Sequence, residues 1–254
     1  MNETIGRYEI HEEIGKGYQS TVYKGYDRIA ERQVAIKKRN YLKGAQKEVL
    51  VMKKYGNHPY LPVLYDNFTH KNRSYIVMEF ISGKVLGSGG KVDKRTEREA
   101  IQITMNVLKG LEHLHERGIL HCDILPKNII VNENNLDDIK IIDYGFSFEK
   151  DENGRFQGEK KHRRVGGKPP ELRVPILTLD DTTDVYEAAH FCTSLIKGRL
   201  PYWNEQKKTH IVNLKNKSLQ EVLEKAMSFD KHKRFSSAKE FQEALKPLLK
   251  KSMP

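Results

Sequence analysis

Cysteine and long apolar runs are both scarce in this chain of 254 residues. Its two cysteines, Cys122 and Cys192, lie far apart, which excludes a disulfide framework and a cysteine-rich zinc site. No stretch approaches the roughly 18 apolar residues that a membrane-spanning helix needs. The charged segment 1–13 lacks the apolar core of a secretory signal. We therefore expect a cytoplasmic protein without a membrane anchor.

Several binding motifs are missing as well. No GxxxxGK[ST] pattern occurs, which argues against a Walker-type nucleotide site. The glycine-rich segment 15–22 is followed by a strand pattern, whereas a dinucleotide-binding unit would have a helix there. His113 and His115 lie two positions apart on a predicted helix and point to different sides, so they do not form the usual zinc pair.

Positive charge is in excess, with 45 lysines and arginines against 34 acidic residues and a formal net charge of +11. An excess of this size favours anionic partners such as nucleotides or acidic protein surfaces. The basic residues are dispersed, and neither a recognition helix nor an aromatic RNA-binding pattern accompanies them, so we expect no nucleic-acid partner. None of these features predicts an oligomeric state.

Periodicity predicts short strands before Gly83 and mainly helices after it. In the first part the predicted strands cover residues 8–14, 20–26, 33–38, 64–69 and 74–81, and one helix covers residues 43–55. In the second part the predicted helices cover residues 97–117, 185–196, 219–229 and 236–249, and a hairpin joins strands 129–131 and 139–142 through a polar turn. The helix 185–196 is apolar all round, so we expect it to be buried. The pattern indicates an α+β fold.

Two features of the first part are candidates for phosphate binding. Glycines in the segment 15–22 let backbone N–H groups approach phosphates closely, although glycine-rich hairpins are also common without any ligand. In the next strand, alternation puts Ala35 and Lys37 on one face, where a lysine can pair with phosphates beside an adenine-sized slot. Glu48 in the following helix is placed to neutralise and aim Lys37, but taken alone Lys37 is better explained as an ordinary edge-strand lysine.

The densest cluster of chemistry-bearing residues is the segment 121–128, followed by Asp143-Tyr144-Gly145. Asp123 can accept a hydroxyl proton, while Asn128 and Asp143 supply hard oxygen ligands suited to Mg²⁺. The predicted hairpin returns the chain, so we expect Asp143 to lie near Asn128.

These motifs, in this order and together with Pro169-Pro170-Glu171, resemble the eukaryotic-type (Hanks-type) protein kinase superfamily over roughly residues 8–249. The resemblance implies a single protein kinase domain over residues 1–254 with a bilobal α+β fold. An N-terminal antiparallel sheet lobe with one helix would span about 1–80, a hinge about 79–83, and a larger helical C-terminal lobe about 84–254.

The resemblance also implies roles for individual residues. Lys37 would hold the α- and β-phosphates of ATP and be aimed by Glu48, and Asp123 would be the catalytic base. Asn128 and Asp143 would bind Mg²⁺, with Mn²⁺ as an alternative metal. The other residues expected to contact ATP are Ile14, Gly15, Lys16, Gly17, Tyr18, Val22, Ala35, Met78, Glu79, Ile81 and Ile130.

Three further expectations concern packing in the same family pattern. Asp184 resembles an aspartate that anchors the catalytic loop, and Arg234 resembles an arginine that pairs with Glu171. A packed set of side chains linking the lobes would consist of Met52, Leu64, His121 and Tyr144.

The sequence departs from the family at three functional positions. Cys122 replaces the arginine that would grip an activation-loop phosphate, and Ser147 is the only serine or threonine between Asp143 and Glu171. We therefore expect activity without activation-loop phosphorylation. Leu125 replaces a lysine that would steady the transferring phosphate, and Arg164 stands where a threonine would contact that lysine. Lys127 or the basic run 160–164 are candidates to supply the missing charge.

The combined interpretation is an ATP-dependent serine/threonine protein kinase acting on a protein substrate of unknown identity, for which acidic character would suit the basic chain. Pro126 and Lys127 favour serine/threonine over tyrosine specificity. Two alternatives stay open. Leu125 fits a pseudokinase that binds ATP with weak or no transfer, and the loop Asp-x-x-Pro-x-Asn also occurs in small-molecule phosphotransferases of related fold.

Overall fold

The computed structural model describes residues 3–17, 20–40, 42–157, 168–172, 179–206 and 208–251. The chain forms two compact units, Met1–Ser82 and Gly83–Pro254. The first consists of an antiparallel sheet with one helix and the second is mainly helical, so the predicted α+β class is confirmed. None of the helices in the described part of the chain combines the length and apolar character needed to span a membrane.

The first unit is built on a six-stranded sheet in the order β1-β2-β3-β4-β6-β5. Its strands are β1 Glu3–Ile5, β2 Tyr8–Lys16, β3 Ser20–Asp27, β4 Arg32–Arg39, β5 Leu64–His70 and β6 Arg73–Glu79, and helix α1 covers Leu42–Tyr55 between β4 and β5. The five predicted strands and the helix are confirmed, but the last strand ends at Glu79, two residues before the predicted end. The three-residue β1 is too short to show a periodic pattern.

One face of this sheet carries the core of the first unit. Val34 and Ile36 in β4 are fully buried there and belong to an apolar cluster with Tyr8, Tyr75 and Val77. Because side chains alternate along a strand, Ala35 and Lys37 lie on the opposite face. The hydrophobic requirement of the core therefore fixes which face of β4 presents Lys37.

The second unit contains four helices in its described part. They are α2 Glu97–Glu116, α3 Asp181–Lys197, α4 Lys217–Ala226 and α5 Ala238–Lys251. A capping box between Thr96 and Glu99 begins α2, and Gly118 follows its end at φ 64°, a conformation that glycine adopts readily after a helix. Helix α3 is buried as predicted, but it begins four residues before the predicted start because Asp180 caps it by accepting a hydrogen bond from Thr182 N.

Short strands join these helices. They are β7 Lys84–Val85, β8 Gly87–Ser88, β9 Lys91–Val92, β10 Ile119–Leu120, β11 Ile129–Asn132, β12 Asn135–Ile141, β13 Phe148–Lys150, β14 Phe156–Gln157, β15 Trp203–Asn204 and β16 Thr209–His210. The predicted hairpin is the pair β11 and β12. Its turn is much shorter than predicted, since Asn132 Oδ1 accepts a hydrogen bond from Asn134 N and the chain reverses at once.

Candidate active site

Strand pairing in the first unit places several of the side chains predicted to contact the nucleotide on the sheet face that carries Lys37. Val22 in β3 is directly opposite Lys37, and Met78 in β6 is directly opposite Ala35. Residues directly opposite in an antiparallel pair point to the same side of the sheet. The register therefore puts Val22, Ala35, Lys37 and Met78 on one surface, with Ala35 buried and Val22 and Met78 half-buried.

Lys37 and Glu48 are joined as expected from their spacing. Lys37 Nζ donates to Glu48 Oε1 at 2.6 Å, and both side chains are almost fully buried. A second cation, Arg39, lies on the other carboxylate oxygen, with its Nη2 2.9 Å from Oε2. Sequence reasoning missed Arg39, although its position two residues after Lys37 puts it on the same strand face. The carboxylate of Glu48 is thus held between two basic residues of one strand.

The described residues of the glycine-rich segment lie at the end of β2 and the start of β3. Gly15 is opposite Val22, and Gly17 N donates to Ser20 O at 2.8 Å. A Cβ at Gly15 would lie 3.8 Å from Val22 Cβ, and one at Gly17 would lie 3.5 Å from Ser20 O, which are ordinary contacts. The fold itself therefore does not require glycine at either position. Tyr18 lies outside the described residues.

The remaining expected ATP contacts are spread over the two units. Ile14 and Lys16 are exposed at the end of β2. Glu79 is tied to Val63, since Glu79 N donates to Val63 O at 2.9 Å and Val63 N donates to Glu79 Oε2 at 3.2 Å. Ile81 follows β6 and is half-buried. Ile130 belongs to β11 of the second unit, where it is half-buried too.

In the second unit, α3 anchors the loop that carries Asp123. The buried carboxylate of Asp184 accepts hydrogen bonds from the backbone N–H groups of His121 and Cys122, each at 2.8 Å, which confirms the predicted anchoring. Cys122 has φ 58°, a left-handed conformation that costs energy for any residue with a side chain. The two bonds from Asp184 hold this strained backbone in place.

Asp123, Asn128 and Asp143 are brought together as predicted. Asn128 Nδ2 donates to Asp123 Oδ2 at 2.7 Å and to Asp123 O at 2.8 Å. Ile142 N donates to Asn128 O at 2.9 Å, which places the adjoining Asp143 beside this loop. Asp143 also has a left-handed backbone, at φ 69°.

The donor set at Asn128 and Asp143 fits a magnesium ion that arrives with a nucleotide. The amide nitrogen of Asn128 is committed to Asp123, so the amide oxygen is the atom left for a cation. Asp143 is half-buried and offers a carboxylate. Within the described ranges no group of three or more His, Cys, Asp or Glu side chains forms a metal site. Magnesium is usually held by one or two carboxylates or amides together with substrate phosphates and water, which this pair matches.

A positive charge lies directly against Asp123, in a residue that the sequence did not indicate. Lys168 Nζ donates to Asp123 Oδ1 at 2.8 Å, to Glu187 Oε1 at 3.0 Å and to Cys122 O at 2.6 Å. Its side chain is 5 % exposed, whereas Lys127, 3.3 Å from Asp123 Oδ2, is 43 % exposed. The basic run 160–164, including Arg164, lies outside the described residues. Leu125 is half-buried and carries no charge.

These neighbours set the ionisation of Asp123. Burial on its own raises the pKa of the Asp123 carboxyl, but the positive charges of Lys168 and Lys127 outweigh burial and lower the pKa below its ordinary value. Asp123 is therefore a carboxylate at neutral pH, which is the form that can accept a proton.

Other expected contacts can be followed within each unit. Arg234 pairs with Glu171 through two bonds, Nη1 to Oε1 at 2.7 Å and Nη2 to Oε2 at 2.9 Å, so that prediction is confirmed. The rings of His121 and Tyr144 pack edge to face at 5.3 Å, and the Tyr144 hydroxyl donates to Ile141 O at 2.8 Å. In the first unit Met52 is buried and Leu64 half-buried. Ser147 is fully buried.

Comparison with known proteins identifies the family. Residues 8–254 match the family described as protein kinase domain, so the chain belongs to that family. It is 30% identical to the serine/threonine-protein kinase MST20 of Pyricularia oryzae over 78% of the chain and 22% of that protein. It is 30% identical to the serine/threonine-protein kinase shk1/pak1 of Schizosaccharomyces pombe over 78% of the chain and 30% of that protein. A probable serine/threonine-protein kinase of Clostridium perfringens is also 30% identical, over 92% of the chain and 37% of its own length.

The match confirms the resemblance drawn from the motifs and the kinase fold that it implied. The chain spans only about a fifth to two fifths of the length of these three relatives. Members of the family generally use ATP and Mg²⁺ and act on a protein substrate. The motifs did not predict two buried cations of the site, Arg39 on Glu48 and Lys168 on Asp123.

Proposed function

We propose that this protein is an ATP- and Mg²⁺-dependent kinase that transfers the γ-phosphate to serine or threonine hydroxyls of protein substrates. The observation that carries the proposal is the state of Asp123: it is a buried carboxyl group, the charges of Lys168 and Lys127 outweigh the effect of burial and lower its pKa, and it adjoins Asn128 and Asp143, the proposed cation ligands. Such a group is fitted to receive the proton of an attacking hydroxyl. The named serine/threonine kinases among the relatives support the acceptor class.

Each residue has a definite part in the proposed reaction. Lys37, aimed by Glu48, binds the α- and β-phosphates of ATP, and the backbone of the segment 15–17 approaches the phosphates. Asp123 orients the acceptor hydroxyl and takes its proton as the oxygen attacks the γ-phosphorus and the bond to ADP breaks. A magnesium ion, held by Asn128 and Asp143, would neutralise charge on the phosphates. Ile14, Lys16, Tyr18, Val22, Ala35, Met78, Glu79, Ile81 and Ile130 complete the proposed ATP contacts.

We propose further that the activity does not depend on activation-loop phosphorylation. Ser147, the only serine or threonine between Asp143 and Glu171, is fully buried and therefore closed to a second kinase. Cys122, also buried, carries no positive charge to bind a phosphate. An acidic protein substrate would suit the formal net charge of +11.

A pseudokinase is the second candidate, and one observation favours it. Both oxygens of Asp123 are already engaged, by Lys168 on one side and by Asn128 and Lys127 on the other, while Leu125 offers no charge for a phosphate. Such a protein would bind ATP and transfer little. The Glu171–Arg234 pair argues against the third hypothesis, a small-molecule phosphotransferase, because it completes the protein-kinase pattern around Pro169-Pro170-Glu171.

The test is transfer from γ-labelled ATP with Mg²⁺ or Mn²⁺, to the protein itself and to one acidic and one basic generic protein substrate. The wild type is compared with Asp123→Asn and Lys37→Ala, and the labelled products are analysed for phosphoserine and phosphothreonine. We expect transfer by the wild type and loss in both variants. No transfer, with ATP still raising the melting temperature, would replace the kinase by the pseudokinase.

A further inference from the structure

Lys168 is held by three acceptors, two in the loop that carries Asp123 and one in helix α3. Its three N–H bonds have matching acceptors in Cys122 O, Asp123 Oδ1 and Glu187 Oε1, all within 3.0 Å. Three acceptors hold an ammonium group in one position and stabilise its positive charge. The ammonium group therefore has a defined location directly against the carboxylate of Asp123.

Glu187 holds Lys168 and the Asp123 loop together. It lies in the buried helix α3, where its Oε1 accepts from Lys168 and its Oε2 accepts from Ile124 N at 2.8 Å. Ile124 is the residue directly after Asp123. One carboxylate thus fixes both the cation that contacts Asp123 and the backbone that carries Asp123.

Stability is a poor explanation for this arrangement. Lys168 and Glu187 are 4 % and 2 % exposed, and moving both charges out of water costs free energy that their attraction often only balances. Replacing buried ion pairs by uncharged side chains of similar volume is commonly neutral or stabilising. Two carboxylates, Asp123 and Glu187, share this one buried ammonium, so the charge balance depends on Lys168.

The neighbouring loop position supplies no alternative cation for Asp123. Leu125, two residues after Asp123, is uncharged, and Lys127 approaches the other oxygen of Asp123 at 3.3 Å from a largely solvated position. A solvated ammonium on a flexible stem is a weak and salt-screened neighbour. Lys168 is the buried cation on Asp123 among the described residues.

We infer that Lys168 is a positioning residue for phosphoryl transfer: held by Glu187, it fixes the orientation of the Asp123 carboxylate and places a buried positive charge against it. This inference rests on the proposed kinase function and deepens it. Electrostatic groups that are fixed before the reaction are among the largest contributors to catalysis, because no reorganisation is needed when charge develops.

The test compares kcat and the KM for ATP in four proteins: wild type, Lys168→Met, Lys168→Met with Glu187→Gln, and Lys168→Met with Leu125→Lys. We expect Lys168→Met to lower kcat by about 10²-fold, with the KM for ATP within about twofold of the wild type. Adding Leu125→Lys should restore at least about tenfold of the lost kcat, because the introduced lysine returns a positive charge to the neighbourhood of Asp123.

The double variant with Glu187→Gln distinguishes a positioning role of Lys168 from a role in stability alone. Lys168→Met with Glu187→Gln removes both charges, keeps an acceptor for Ile124 N and should fold at least as stably as Lys168→Met alone. If the ion pair matters only for stability, kcat recovers along with the melting temperature. If Lys168 positions Asp123, kcat stays low while the melting temperature recovers. If Lys168→Met alone fails to fold, this double variant still tests the inference.

Lys231→Met is the matched control, because Lys231 bonds to Asp180 at the start of the same helix α3, at 2.6 Å, and has no part in the proposed site. It should lower stability without changing kcat. Transfer by Lys168→Met within about threefold of the wild type, or recovery of kcat in the double variant with Glu187→Gln, would overturn this inference alone. No transfer by the wild type would overturn the proposed function and this inference with it.

Discussion

Removal of Arg39 tests whether the Lys37–Glu48 pair is held by a second cation. Arg39 Nη2 lies 2.9 Å from Glu48 Oε2, and the Arg39 side chain is 10 % exposed while that of Glu48 is 2 % exposed. Methionine in place of Arg39 keeps an unbranched apolar stem of similar reach and removes the charge. The substitution Arg39→Met therefore isolates the ionic contact from the packing.

The expected loss of stability depends on the contacts that Glu48 keeps after the substitution. Breaking a buried ion pair by removing one partner costs about 3–5 kcal/mol when the other charge is left uncompensated. Here Lys37 still donates to Oε1 at 2.6 Å, so only one oxygen loses its neighbour. We expect a loss of about 1–3 kcal/mol in the free energy of unfolding, less than the full cost of an uncompensated buried charge because Lys37 still pairs with Glu48.

The same substitution should weaken ATP binding. With Oε2 released, the Glu48 carboxylate can turn and fixes Lys37 less well, so the KM for ATP should rise by up to about tenfold, which corresponds to about 1.4 kcal/mol. Urea unfolding gives the stability, and steady-state kinetics give the KM. Arg7→Met is the control, because Arg7 pairs with the buried Asp27 in the same unit at 3.3 Å, away from Lys37. Unchanged stability and KM in Arg39→Met would refute the reasoning.

Four further predictions test other parts of the molecule. Gly15→Ala and Gly17→Ala should leave the melting temperature unchanged, since the added Cβ atoms meet only ordinary contacts, but should weaken ATP binding; a large loss of stability would contradict this. Ser147→Ala should retain activity because the buried side chain is closed to phosphorylation, and loss of both a phosphate group and activity would disprove it. Arg234→Met leaves Glu171 with an unpaired charge and should cost about 3–5 kcal/mol in urea unfolding, whereas Glu171→Gln with Arg234→Met should cost less. Leu125→Lys alone should raise kcat by less than about tenfold, because Lys168 already supplies the charge at Asp123.

The local sequence pattern was sufficient to predict much of the first unit. Strand alternation predicted the face of β4 that presents Lys37, and the structure buries Val34 and Ile36 on the other face as the pattern requires. Glu48 was predicted from motif spacing, and the pair is formed. Arg39 was missed because a charged residue at a strand end usually faces water, and only the packing of α1 makes it a buried partner.

Lys168 shows why the rest of the site could not be predicted from the sequence. It lies 45 positions after Asp123 and 19 before Glu187, in a segment without helical or strand periodicity. No local rule relates residues at such separations, since their contact depends on how α3 packs against the loop. The start of α3 was misplaced for a related reason, because its first turn is polar and only the cap at Asp180 marks it.

The departures at Cys122 and Leu125 are consistent with each other once Lys168 is considered. A phosphate-dependent switch would need an exposed acceptor and a cation to bind its phosphate, whereas Ser147 and Cys122 are both buried. Lys168 instead links the segment before Glu171 to Asp123 directly. Burial on its own would lower the pKa of Lys168, but Glu187 and Asp123 outweigh burial and raise it above its ordinary value. The ammonium group therefore stays charged at neutral pH, and we expect the contact that orients Asp123 to form without any modification of the chain.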